Sequence, residues 1–195
     1  MKNNELQNAL EPVVRVLEEL GIVYYIGGSI ASSIYGIARA TMDIDLVSNL
    51  KLNQVSSLVR KLQSAFYIDE AMIIDAIKTR SSFNLIHLET MLKIDVFILK
   101  EKEYSKKSFE RIRKENISDD KDSIQVNLCS AEDIILHKLE WFKLGGGTSE
   151  NQWKDILGVI KVQGNLLDNE YLSKWAAELG VSDLLFIALT EGKID

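Results

Sequence analysis

The stretch that most restricts what this chain can fold into runs from Tyr24 to Val47. An apolar lead enters Gly27-Gly28-Ser29; Arg39 and Thr41 follow, then Asp43 and Asp45 in an otherwise apolar run. In a strand, residues i and i+2 point to one face, so Asp43 and Asp45 project side by side. Ile44 and Leu46 point the other way, into a core. Two parallel carboxylates are hard anionic oxygen ligands, of the kind that hold Mg²⁺ together with substrate phosphates. The bland alternative is a strand whose two aspartates merely face solvent.

The glycines match that chemistry. A strand ending in Gly-Gly-Ser can turn sharply into a helix, because glycine tolerates backbone angles that other residues avoid. The fresh helix N-terminus offers unpaired N–H groups and the positive end of its dipole to an anion. Ser29 suits an N-cap, and its hydroxyl can bond a phosphate oxygen instead. Gly27, Gly28 and Ser29 are therefore candidate phosphate-binding residues, and Asp43 and Asp45 candidate metal ligands.

Gly-Ser, a gap, then Asp-x-Asp resembles the nucleotidyltransferase superfamily of DNA polymerase β-like fold. The variant is similar to the small AbiEii-type enzymes of bacterial abortive-infection and toxin–antitoxin systems. The resemblance implies an α/β fold with a mixed central sheet flanked by helices, plus a C-terminal helical bundle. It implies transfer of a nucleoside monophosphate from an NTP to a hydroxyl acceptor, on RNA such as tRNA or on protein, with release of pyrophosphate. Two Mg²⁺ ions and a cognate antitoxin partner come with it. A small-molecule, antibiotic-type transferase and a catalytically inactive binding module are the alternatives.

At 195 residues the chain is long enough for one domain, or one domain with a helical appendage. The expected division is a catalytic α/β domain over 1–128 and a helical region over 129–195 packed on it. Hydrophobic residues at 46% and charged residues at 27% suit a packed core with an ordinary soluble surface. A net charge of −6 argues against a uniformly basic nucleic-acid surface, though not against a local one. Cys129 is the single cysteine, which rules out an intramolecular disulfide and favours a reducing compartment. Residues 22–38 carry no charge, but the run is shorter than the roughly 20 apolar residues of a membrane span and Gly27-Gly28-Ser29 interrupts it. The expectation is a cytoplasmic protein without a membrane segment.

Helical spacing of apolar residues predicts a helix over 5–20 that begins or kinks at Pro12 and ends at Gly21. Strands are expected at 22–26 and 43–48, and helices at 29–37, 52–66 and 70–78. A hairpin follows, with strands near 83–88 and 92–99. The acidic run 115–123 is a loop and the best candidate boundary, before a strand at 124–128. Helices are expected at 130–144, 150–163, 168–179 and 182–191, the first opened by Ser130 with Asp133 in a capping box. Gly145-Gly146-Gly147 lacks the ending of a P-loop and reads as a helix–helix link.

Asp95 stands amid isoleucine, valine and phenylalanine in the second hairpin strand. Aspartate is depleted in strands, and an unpaired buried charge is expensive, so Asp95 wants a partner. Either it joins Asp43 and Asp45 as a third metal ligand, or it pairs with a lysine or arginine on an adjacent strand. By resemblance it is the third aspartate of the family, close to the reacting hydroxyl and able to act as general base. Also by resemblance, Lys138 contacts nucleotide phosphates, and Asp155 on the next helix orients it or coordinates the site. Without the resemblance, Lys138 reads as a surface lysine. Arg39 and Thr41 support the acidic strand or touch phosphate. The family often carries an arginine shortly before the position of Asp155; here Gln152-Trp153 stands there.

Residues 100–114 are the one basic patch, seven lysines and arginines against three glutamates. Lys100, Lys106, Lys107, Arg111 and Arg113 are candidate RNA contacts, or simply a solvated helix face. Tyr104 and Phe109 either stack on bases or anchor that helix. His87 reads as a satisfied core or edge histidine. His137 faces away from Lys138 on its helix. Arg80 and Asn84 border the pocket, and Trp141, Trp153 and Trp175 read as core.

Overall fold

The computed structural model describes residues 3–41, 43–117 and 123–192. Ser118 to Asp122, which hold most of the acidic run expected as a boundary loop, lie outside the described residues. Contacts divide the chain into two compact units, Met1–Gly27 with Ala40–Leu128 and Gly28–Arg39 with Cys129–Asp195. The segment after Gly27 therefore groups with the C-terminal helices rather than with the sheet.

The first unit is built on a seven-stranded mixed sheet. In chain order its strands are β1 (Tyr24–Ile26), β2 (Asp43–Ser48), β3 (Phe66–Tyr67), β4 (Ser82–His87), β5 (Lys93–Ile98), β6 (Arg113–Asn116) and β7 (Gln125–Leu128). Their spatial order is β3-β4-β5-β2-β1-β7-β6. β2 runs parallel to β5 and β1 parallel to β7, and the other neighbours are antiparallel. Helices α1 (Asn3–Glu19), α3 (Val55–Leu62), α4 (Glu70–Thr79) and α5 (Glu103–Glu110) belong to the same unit.

Alternation of side chains sets the sheet's two faces. Ile44, Leu46 and Ser48 of β2 are buried, as are Ile94, Val96 and Ile98 of β5 and Phe83, Leu85 and His87 of β4. Each fully buried aliphatic side chain contributes about 1.5–3 kcal/mol, enough to lock the register against a one-residue slip. That register leaves Asp43, Asp45, Lys93, Asp95 and Asn84 on the less covered face. The sheet's two edges are blunted differently. β3 is only two residues long, and β6 reads Arg-Lys-Glu-Asn, a charged sequence that resists pairing with another chain.

The second unit holds α2 (Gly28–Tyr35), α6 (Ala131–Leu144), α7 (Glu150–Gln163), α8 (Asn169–Leu179) and α9 (Ser182–Glu191). Side-chain caps open its helices where the sequence places Ser or Asp. Ser130, Ser149 and Asp168 accept backbone N–H bonds from Asp133, Gln152 and Tyr171. Such caps are worth about 1 kcal/mol each. Trp175, only 2% exposed, fills the core of this unit. α2 packs on α6 and α7, and the closest approach is at Gly36. A Cβ there would lie 2.7 Å from the carbonyl carbon of Gly158 and from the amide nitrogen of Val159. Both are backbone atoms that cannot swing aside. Gly36→Ala is thus expected to cost about 2 kcal/mol through overpacking, lowering the melting temperature by about 4–8 °C. Gly158→Ala, whose nearest neighbours are at 3.2 to 3.5 Å, should cost less. Calorimetry of both variants checks the order, and equal losses would contradict the steric account.

Several expectations need correction. α1 runs through Pro12 without starting there; the missing proline donor is outweighed by the buried stripe of Leu10, Val13, Val14 and Leu17. The helix expected over 52–66 is a short 3₁₀ turn followed by α3, after which the chain enters β3. Neither β3 nor β6 was expected. The first is too short to show alternation and the second too polar. The basic residues of 100–114 consequently do not share one helix: Lys106 and Lys107 lie on α5, Arg113 and Lys114 on β6, and Lys100, Lys102 and Arg111 outside both. Trp141 is 55% exposed and not core, whereas Trp153 donates its indole N–H to Glu191 at 2.8 Å.

Candidate active site

The carboxylate group of the sheet unit is set by register. In the parallel pair β2–β5, Asp43 lies opposite Lys93 and Asp45 opposite Asp95. In the antiparallel pair β4–β5, Asn84 lies opposite Asp95. The two central carboxylates therefore share a rung of the sheet on one face. Thr41 braces the start of β2: its hydroxyl accepts the Asp43 N–H at 3.3 Å and donates to the Asp43 carbonyl at 3.2 Å. At the end of β1, the Gly27 N–H donates to the Asp45 carbonyl at 2.9 Å, which pins the strand beside its neighbour.

Lys93 completes this group, and its role was not anticipated. Its ammonium is 2.7 Å from an Asp95 oxygen and 4.0 Å from an Asp43 oxygen. The bond to Asp95 leads, with the charges of Asp43 and Asp45 adding, in raising the lysine's pKa above its ordinary value. The signal was in the sequence: Lys93 and Asp95 are two apart in a strand and so must share a face. Asp95 thus has a lysine partner, but on its own strand rather than a neighbouring one.

The donors of this face are carboxylate oxygens, the chemistry of a hard divalent cation, and the face already draws one cation to itself in the Lys93 ammonium. Among the described residues, no three His, Cys, Asp or Glu groups close on a common point as a ready metal cage. An ion shared with substrate phosphates does not need one, since Mg²⁺ commonly takes one or two carboxylates and fills its shell from phosphate and water. Asp43, Asp45 and Asp95 offer carboxylate oxygens of the kind such an ion takes one or two at a time.

The second group lies within the helical unit. Asp155 on α7 is 6% exposed and Lys138 on α6 is 4% exposed. The Lys138 ammonium donates to an Asp155 oxygen at 2.8 Å and to the Gln152 side-chain oxygen at 3.2 Å. The plain surface-lysine alternative for Lys138 fails on burial. Arg39 reaches the same carboxylate in a fork, Nε to Oδ1 at 2.7 Å and Nη2 to Oδ2 at 2.9 Å. Its Nη2 also donates to the Ser29 hydroxyl at 2.5 Å. Arg39 supplies, from elsewhere in the chain, the guanidinium absent from the residues just before Asp155.

Electrostatics of this cluster follow from those contacts. Burial on its own would raise the Asp155 pKa, but the hydrogen bonds from Arg39 and Lys138 outweigh it and hold the carboxyl below its usual value. The same bond raises the pKa of Arg39. Two cations on one carboxylate leave a net positive charge beside the first turn of α2. That helix begins at Gly28, with φ of 55°, so Ser29 sits in its first turn and is not its N-cap.

The remaining candidates fall outside both groups. His87 is buried and satisfied by the Thr90 hydroxyl at 2.9 Å. Arg80 pairs with Glu101 and donates to the Leu99 carbonyl. Tyr104 is 6% exposed and so is not a base-stacking platform, whereas Phe109 meets Tyr25 of β1 edge-on at 5.0 Å and ties α5 to the sheet. Cys129 is a free, buried thiol whose pKa burial raises.

No protein-family model matches the chain, and no curated protein sequence does. Solved structures do match. The lincosamide antibiotic adenylyltransferase LnuA, bound to lincomycin, aligns with a TM-score of 0.50 at 16% identity, over 82% of this chain and 96% of its own. An antigenic nucleotidyltransferase-like protein from Paracoccidioides brasiliensis aligns at 0.57 and 17% identity, over 96% of this chain and 93% of its own. The antibiotic-resistance factor ANT(2'')-Ia aligns at 0.53 and 11% identity, over 90% and 96%. The chain has the nucleotidyltransferase fold.

Proposed function

We propose that this chain is a metal-dependent nucleotidyltransferase that moves a nucleoside monophosphate from an NTP to a hydroxyl group and releases pyrophosphate. The observation that carries this is the register of β2 and β5, which puts Asp45 and Asp95 on one rung of a sheet of nucleotidyltransferase type, with Asp43 on the same face. Asp43, Asp45 and Asp95 would hold Mg²⁺. When bound, such an ion neutralises phosphate charge and lowers the pKa of an attacking hydroxyl. Asp95 would also accept that hydroxyl's proton. In the helical unit, the Gly28 N–H and the Ser29 hydroxyl would take phosphate oxygens, and the buried Lys138 would add its positive charge. Asp155 and Arg39 hold Lys138 and Ser29 in place.

For the acceptor, a small hydroxylated molecule is favoured. LnuA and ANT(2'')-Ia are antibiotic-related proteins of the same fold. The basic residues are spread over α5, β6 and the segments flanking α5, Lys107 is paired with Glu110 at 2.7 Å, and Tyr104 is buried. The second reading is an AbiEii-like toxin acting on RNA or protein, with an antitoxin partner; exposed Lys100, Lys106 and Arg113 favour it. A supply of NTPs and a single reduced cysteine suit a cytoplasmic setting for both. Among the described residues no helix is long and apolar enough to cross a membrane.

The test incubates the protein with each α-labelled NTP, Mg²⁺, total RNA and a panel of hydroxylated small molecules that includes lincosamides and aminoglycosides. Label in a small molecule is the expected result. Label in RNA or in a protein selects the second reading, and no transfer to any acceptor, with no nucleotide binding by calorimetry, removes the enzymatic one.

A further inference from the structure

Lys93 is a cation seated among the carboxylates of the sheet face. Its position is built in twice over, opposite Asp43 in the parallel register and two residues before Asp95 on the same strand. It touches Asp95 at 2.7 Å and lies 4.0 Å from Asp43. Its side chain is 43% exposed, so nothing in the packing obliges it to stay. An ammonium on a four-carbon stem is a compact, mobile point charge, unlike the planar fork of arginine. A divalent cation on the same oxygens would meet a like charge within a few ångströms. The two cations compete for the same oxygens.

We propose that Lys93 is a tethered counter-cation, which occupies the carboxylate face while no metal is bound and yields it to a divalent ion. The proposal rests on the assignment of this face as a metal site. With Lys93 in place, three carboxylates share one face without an added ion. The same contact opposes metal binding by the nucleotide-free protein, so that a metal arriving with triphosphate charge is preferred over a metal alone. Lys93 is a positioning residue in this account, and it acts before any chemistry.

Titration with Mn²⁺ in the absence of nucleotide, read by the loss of the free-ion paramagnetic resonance signal, separates the possibilities. Lys93→Gln is expected to bind Mn²⁺ about tenfold more tightly than wild type, equivalent to about 1.4 kcal/mol. Lys93→Arg should stay within a factor of about three of wild type, because the charge is kept. Asp45→Asn should bind more weakly than either. Binding by Lys93→Gln equal to or weaker than wild type, with Asp45→Asn still impaired, would overturn the counter-cation and leave the metal site standing. Binding unaffected by Asp45→Asn, or undetectable in both wild type and Lys93→Gln, would remove the metal site and the counter-cation with it. Detectable binding in Lys93→Gln alone supports the proposal.

Discussion

Asp45→Asn is expected to lower nucleotidyl transfer by at least about a thousandfold while leaving the fold in place. The magnitude follows from the several kcal/mol of charge stabilisation that a catalytic metal supplies, at about 1.4 kcal/mol per tenfold in rate. The substitution is isosteric, and Asp45 lies on the partly exposed side of β2 and not among Ile44, Leu46 and Ser48. Loss of stability is therefore not the expected route to loss of activity. Asp75→Asn, an exposed carboxylate on α4 rather than on β2 or β5, serves as control and should change the rate less than about twofold. Initial rates with the acceptor identified by label transfer, together with melting curves, decide the matter. An Asp45→Asn protein that keeps more than a tenth of wild-type activity would show that this carboxylate holds no catalytic metal.

Asp155→Ala should be the most destabilising of the substitutions considered. It leaves Lys138, 4% exposed, with only the Gln152 oxygen as a partner, and it strips Arg39 of both of its bonds to the carboxylate. Breaking a buried ion pair from one side costs about 3–5 kcal/mol. The Arg39 part deserves a discount because that side chain is 35% exposed, which places the expectation near the lower end. A Lys138→Met/Asp155→Leu double variant removes the stranded charge as well and should recover part of the loss. Urea denaturation of the single and double variants gives both numbers. If the double variant is no more stable than Asp155→Ala, the loss comes from packing and not from an orphaned cation. The pH dependence has a definite sign. Asp155 has a depressed pKa in the folded protein, so its contribution is present above the unfolded value of about 4 and is lost as pH falls below that through the native value. Wild type should lose this increment in acid, whereas the double variant, lacking the carboxylate, should show a flatter profile there.

What could be read beforehand was whatever local chemistry enforces. The helices after Cys129 were legible because Ser130, Ser149 and Asp168 open them and glycines at 145, 164 and 180 follow their ends. Asp95 was legible because a carboxylate between Ile94 and Val96 demands a reason. Register made Asp45 and Asp95 neighbours, but strand order is a tertiary fact, and only the resemblance anticipated it. Arg39 and Asp155 are 116 residues apart, and no periodicity links them. Strand alternation puts Lys93 on the face of Asp95, so their ion pair was legible in the sequence. β6 was missed because an edge strand of four polar residues looks like a loop until a partner such as β7 is known.

The grouping of Gly28–Arg39 with the C-terminal helices has a consequence for how the chain is made. α2 emerges from the ribosome before the α6 and α7 surfaces that it packs against. The close approach of Gly36 to Gly158 and the fork from Arg39 to Asp155 cannot form until then. During translation the sheet strands can pair while α2 waits as an uncharged segment without its partners, the kind of transiently exposed apolar surface that chaperones hold. A fragment ending at Leu128 would keep that segment permanently unpartnered, so the boundary near residue 128 is a poor place to cut the protein. Grafting 28–39 onto 129–195 as a permuted chain is the division that respects its contacts.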